Sequence, residues 1–367
     1  MRTRLFFAAL TAAFTIPALA ASSLHAEPLT ADQTARTLAG LDIEAMAGDA
    51  ARTKLLKNYA KNATQKWTKY WKKIGAPMQD WSRVEVPFTK GETVFYPFSG
   101  PDFPTAMQLY PEAGRYVLVA LQNAGPVPDL KAMEGKRFTS YMNVFKRGWL
   151  DFARRGFFRT DDLKADTAKD GGTLAGVTPV LMAFSSALGY TVDSVDPIRV
   201  NEAGTAIELH PGDRSEFATW LSVRLKLKRA DGTPVTLDYV QADISDGSLK
   251  KQVNTRNWLT NIAANRAMTK AASHLMQKPF FAIIRDIVVN NAKALVQDET
   301  GVDYKDLEPG FNVALYGDFE RAHKLFSAGV QKELAQAYKK KSDVKNLPFR
   351  FGYDKDKGSA VMIAVRK

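Results

Sequence analysis

The sequence predicts an α+β or mixed α/β protein, with a mixed sheet flanked by helices and a four-stranded antiparallel meander around residues 190–245. Three observations carry this. A strand, a tight turn, a helix and a second strand follow one another between Thr93 and Leu121. Four segments with a period of two begin at Tyr190, and stretches with helical spacing stand on both sides of them.

The chain opens on an export signal. Arg2 and Arg4 precede an apolar run from Leu5 to Ile16, and Ala18-Leu19-Ala20 is a small-x-small cleavage site; Leu24-His25-Ala26 offers a second. The run is shorter than the ~20 residues that a bilayer core requires, so residues 1–20 (or 1–26) read as a cleavable signal and the periplasm is the expected location. The 367 residues include no cysteine, which excludes lipid attachment at a cysteine, disulfides and thiol chemistry. Formal net charge is +12. Such an excess favours an anionic membrane surface or an acidic envelope polysaccharide, or is simply a solvated surface; no nucleic acid partner is expected of an exported protein.

Residues 27–80 read as a basic, amphipathic helical region and 81–367 as one α+β body. In the first, Trp67, Tyr70, Trp71 and Ile74 fall at i, i+3, i+4 and i+7, surrounded by Lys61, Lys66, Lys69, Lys72 and Lys73. This describes a helix lying on an anionic surface, or a core face with lysines beside it. Asp49 is placed to cap it. Pro77 and Pro87 bracket what reads as an irregular stretch. Residues 93–98 then form a strand, 99–102 a turn, 103–110 a helix and 116–121 an apolar strand, a βαβ unit with a very short crossover. Residues 129–158 carry a heavy aromatic helical face, 160–172 an acidic loop and 174–188 an apolar helix. The alternating segments are 190–200, 206–210, 218–228 and 235–244. Helices are expected at 249–276 and 280–295, split at Pro279. Short strands at 311–316, 349–353 and 360–365, with a basic helix at 330–341, complete the chain.

The run Tyr96-Pro97-Phe98-Ser99-Gly100-Pro101-Asp102-Phe103, with Gly125-Pro126-Val127-Pro128-Asp129-Leu130, resembles a family of exported bacterial proteins whose function is not established. Gly176 to Pro179, Ser273 to Met276, Val296 to Val302 and Leu347 to Tyr353 extend the resemblance over residues 90–353. It implies export, and carries over no activity and no catalytic residue.

Chemistry-bearing candidates are few. A strand-to-helix turn exposes backbone N–H groups, which makes Tyr96, Ser99 and Asp102 binding candidates, although an Asp102 that caps the following helix has its carboxylate occupied. Asp298, Glu299 and Thr300 close a predicted helix at Gly301; acids there oppose the helix dipole, which points to a binding or catalytic purpose or a salt bridge. Among the histidines His25, His210, His274 and His323 there is no metal-ligand spacing, so no metal is expected, and without a nucleotide loop no cofactor. Ser99 with His274 and Asp298 or Asp102 is a nucleophilic constellation that needs three distant segments to meet. Carboxylate pairs for glycoside cleavage would come from Asp102, Asp161, Asp162, Asp298 and Glu299, with Tyr96, Trp149 or Trp258 as sugar platforms. The expected function is binding of an envelope-associated anionic or carbohydrate ligand; a metal-independent hydrolase of an envelope polymer or ester is the alternative, and a structural partner protein the third.

Overall fold

The computed structural model describes residues 27–46, 48–158, 174–209, 220–321, 331–353 and 359–367. The segment expected to be an export signal, the one expected to be an acidic loop, with Asp161 and Asp162, and His25, His210 and His323 lie outside them.

Helix α1 (Ala31–Ala39) begins with a reciprocal Thr30/Gln33 cap and ends at left-handed Gly40. Helix α2 (Ala50–Tyr70) is capped by Asp49, which accepts from the Arg52 N–H at 2.8 Å. Its aromatic stripe faces inward: Tyr70 and Ile74 are buried, and Trp67 packs on Trp149 and Phe184 with ring centroids 5.4 and 5.7 Å away. Lysines 61, 66, 69, 72 and 73 point outward. No irregular stretch follows. A π-turn (Trp71–Gly75) leads into α3 (Ala76–Glu85), and the changed hydrogen-bond register puts Pro77 in a first turn, where its missing N–H costs nothing.

One eleven-stranded sheet runs through the molecule. Its chain-order strands are β1 (Thr93–Pro97), β2 (Arg115–Ala120), β3 (Thr191–Val200), β4 (Ala206–Glu208), β5 (Ser222–Lys228), β6 (Pro234–Gln241), β7 (Arg266–Thr269), β8 (Ala294–Gln297), β9 (Phe311–Gly317), β10 (Val344–Lys345) and β11 (Ala360–Arg366). Their spatial order is β10-β9-β11-β8-β7-β1-β2-β6-β5-β3-β4. Strands β8, β7, β1, β2 and β6 run parallel; β11 is antiparallel to both its neighbours, and β3, β4, β5 and β6 are mutually antiparallel where they pair. The sheet is therefore mixed. The 190–245 segment departs from a simple meander, because β3 pairs with both β4 and β5 and separates them.

The short crossover works: α4 (Phe103–Leu109), seven residues long, returns the chain so that Phe95 pairs in parallel with Val117. It packs on one face of the sheet with Tyr96, Tyr116 and Leu118, beneath α5 (Gly135–Arg155) and α6 (Thr178–Ala187). On the other face, α7 (Asp246–Lys251), α8 (Val253–Ala263) and α9 (Ala282–Asn291) cover Phe95, Val117 and Val119. Right-handed crossovers leaving β1 and β7 in opposite directions require this division of helices between the faces. The small α10 (Tyr304–Leu307) and α11 (Lys332–Lys339) lie toward the β9 end.

Three expectations are corrected. The 249–276 helix is α7 and α8 followed by β7, because a four-residue apolar strand buried on both faces has no period to betray it. The 280–295 helix runs only from Ala282 to Asn291 and is followed by β8, and Phe280, just before it, is 56% exposed. Residues 349–353 form no strand, although Phe349 and Phe351 are buried.

Candidate functional site

Where β1 and β7 lie side by side, their outgoing loops turn to opposite faces and leave a crevice at the carboxyl ends of the parallel strands. This topological switch point is where open α/β sheets hold ligands. A pocket of about 150 Å³ occupies it, lined by residues that leave four strands: Phe98 and Ser99 after β1, Leu121 after β2, Asp243 after β6, and Ala271 and Ser273 after β7.

Its floor is a closed polar cluster. Lys270 Nζ lies 2.7 Å from Asp102 Oδ2, with both side chains 3% exposed, and donates to Thr105 Oγ1 at 2.5 Å and to the Gly156 carbonyl at 2.6 Å. Its three protons are thus all used. Asp102 does cap α4, accepting at Oδ1 from the Thr105 N–H at 3.4 Å and from the Thr105 hydroxyl at 2.8 Å. Its other oxygen remains for Lys270 and for the Tyr96 hydroxyl at 3.1 Å, so one carboxylate serves cap and ion pair together. Burial, then the charges of Asp102 and Asp298, pushes the Tyr96 phenol well above its ordinary range, which keeps it a neutral donor.

The loop after β7 is held in an unusual shape. Ala271, Ser273 and His274, like Phe98 across the pocket, have positive φ of 52, 54, 57 and 58°. Non-glycine residues in this region cost about 1–3 kcal/mol each and persist where the surroundings hold them. The holding groups follow β8. Asp298 accepts the Ala271 N–H at 2.7 Å and the Thr300 hydroxyl at 2.5 Å, Thr300 Oγ1 accepts the Ala272 N–H at 2.8 Å, and Tyr353 donates to the Ala271 carbonyl at 2.5 Å. Burial raises the Asp298 carboxyl above its usual range, opposed by these donors and by Lys270.

Tyr96, Ser99 and Asp102 therefore line the pocket, whereas Asp298 and Thr300 stand behind its loop as a clamp. Glu299 is buried beside them, its carbonyl accepting from Gln277 and Gln331. The acids end a strand and not a helix, so the helix-dipole argument for them lapses. His274 lies in a left-handed turn rather than on a helix. Gln277 gives its amide protons to two carbonyls, leaving its oxygen to accept from His274 Nδ1 at 2.9 Å. The Ser99 hydroxyl is aimed at the Val119 carbonyl, 3.4 Å away. Ser99, His274 and Asp298 thus form no hydrogen-bonded relay. Trp149 and Trp258 are buried in the two cores and offer no sugar platform. Lys270, Phe98, Asp243 and Phe281 escape the sequence reading, since nothing local distinguishes a buried lysine inside an apparent helix. Among the described residues, no three His, Asp or Glu side chains are grouped to hold a metal ion.

No family model matches the chain, and no curated protein or solved structure is significantly similar to it. Fold and site together define a mixed-sheet α/β protein with a ligand-sized pocket at the switch point of its parallel strands.

Proposed function

We propose that the mature protein works in the periplasm as a binding protein that holds a small ligand, without chemical change, in the pocket at the ends of β1, β2, β6 and β7. The observation that carries this is the pocket itself, built from four strand ends over a floor whose ionic groups already satisfy one another. Export rests on the basic, apolar and small-residue pattern of residues 1–20 and on the family resemblance. The Tyr96 to Phe103 motif behind that resemblance supplies the end of β1, the pocket wall and the cap of α4. Its restricted shape is then explained by ligand binding.

A hydrolase in the same cleft loses its main support, because the serine and histidine it requires are each directed elsewhere. A fragment screen on the mature chain by ligand-observed NMR tests the binding reading. Binding is expected in the wild type and abolished in Ser99→Trp, which fills the pocket. Fragments that bind equally well to a folded Ser99→Trp would refute it.

A second reading concerns the outer surface. Between Asp49 and Asp80 there is no acid, and Lys54, Lys57, Lys61, Lys66, Lys69, Lys72 and Lys73 are all exposed along α2 and the π-turn. Such a face suits an anionic membrane surface or envelope polysaccharide through charge alone, the aromatic residues being committed to the core. Co-sedimentation with phosphatidylglycerol vesicles should occur at low salt, weaken as salt rises and be lost in a variant with glutamate at positions 61, 66, 69 and 73. Unchanged sedimentation of that variant would remove this face from consideration.

A further inference from the structure

We infer that the pocket selects a one-ring apolar molecule carrying a protonated amine and discriminates against the corresponding anion; this rests on the binding reading above. The size argument comes first. About 150 Å³ matches an engineered apolar cavity known to take up benzene. The walls are suited to a ring: Phe98 meets Phe281 edge to face at 5.3 Å between centroids, with Phe157, Leu275 and Ile244 around them. Phe280 lies tilted against Phe281 at 5.1 Å between centroids and is itself 56% exposed, and Leu121 on the rim is 55% exposed, so the apolar surface continues to the entrance.

Charge decides the rest. Two carboxylates, Asp102 and Asp243, and one ammonium, Lys270, line the space. Lys270 has no proton left for a ligand, since Asp102, Thr105 and Gly156 take all three. Asp102 is neutralised by the same contact. Asp243 remains, exposed at the end of β6, with no cation paired to it among the described residues. It accepts from the Ser245 N–H at 2.9 Å and the Ser248 hydroxyl at 2.7 Å, and these donors, Ser248 foremost, hold its carboxyl below the usual range. Each of its oxygens keeps a lone pair. Ser273 adds a further acceptor: Tyr353 gives its proton to the Ala271 carbonyl, so the Ser273 hydroxyl must donate to Tyr353 at 3.0 Å and is left with acceptor capacity. Apolar walls, a free carboxylate and a hydroxyl acceptor suit an ammonium head on a ring. A basic protein thus carries a locally acidic pocket.

Phenethylamine, 2-phenylethanol and phenylacetate share one ring and differ in head charge, so titrating the mature chain with each at low salt separates size from sign. Expected is binding in the order amine, alcohol, acid, the amine roughly three- to fivefold tighter than the alcohol, as a solvent-accessible ion pair provides. Asp243→Asn should bring the amine down to the alcohol, with an unfolding transition like that of the wild type showing that the variant is folded. Phenylacetate binding as tightly as phenethylamine, or an amine preference that survives Asp243→Asn, would overturn the inference and leave the binding reading standing. Absence of all three from a wild type that binds other fragments also overturns it, whereas a failed fragment screen removes both.

Discussion

From β8 to β6 the strands run parallel and helices cover both faces, whereas from β6 to β4 they alternate in direction and one face carries charge. The burial patterns differ accordingly. In β2 every residue after Arg115 is buried, while β5 alternates, with Leu225 and Leu227 inside and Lys226 and Lys228 outside. Across the open face runs a ladder in which Arg115 and Arg224 share Asp238, Arg224 and Lys226 meet Glu208, and Lys228 meets Asp193. The parallel half holds one sealed pair, Lys270 and Asp102, under the pocket, and a more accessible pair, Arg266 and Glu92, at the opposite ends of its strands. Ion pairs in the two halves should therefore respond very differently to truncation.

Lys270→Met breaks the comparison most severely, because it strands Asp102 uncompensated in the core. A loss of about 3–5 kcal/mol in denaturant unfolding is expected, with much of it recovered in the Lys270→Met, Asp102→Asn double variant. An effect below about 1 kcal/mol would mean that water reaches the cluster. Asp238→Ala, in the other half, removes a carboxylate with no exposed surface, yet its arginine partners retain 31% and 17% exposure and can turn to water. About 2 kcal/mol is expected, smaller than at Lys270. Asp193→Ala, whose bridge to Lys228 is half exposed, should cost less than about 1 kcal/mol, and less still at high salt.

The smallest effect is one of pH. Glu85 accepts from the Tyr316 hydroxyl at 2.7 Å and from Lys345 at 3.0 Å, and these bonds, Tyr316 first, lower its carboxyl below the ordinary value. A depressed folded value means that the stabilisation is present above the unfolded pKa and is lost as pH falls through the folded one. Glu85→Gln should therefore flatten the fall in melting temperature between about pH 5 and pH 3, and identical acid limbs would show that the contact contributes nothing.

Legibility in the sequence follows the same division. The antiparallel strands are plain from their alternation, as in Ser222 to Lys228, because one face is wet. Of the parallel strands, β1 and β2 are legible through the proline-bounded turn between them. By contrast β7 and β8, four residues each and dry on both faces, read as continuations of helices. The wall of the pocket that follows β7 vanishes with them. Tyr96, Ser99 and Asp102 are found from local turn chemistry, but Lys270 is recognisable only through its partner Asp102, far away in the chain. Asp298 is found for the wrong reason, since the feature that singles it out, a helix end, does not exist.

The seven-residue α4 also sets the order in which the structure can close. A strand, a short helix and a strand within residues 93–120 make the most local parallel pairing of the sheet, and loop closure there is cheap in entropy. The contact between Tyr96 and Lys270 spans 174 residues and must wait until β6 has been laid down and the chain has crossed back. Closure of the pocket is accordingly expected to follow the pairing of β1 with β2. The pocket's occupancy by a ligand would therefore report that strands far apart in the chain have all come into place.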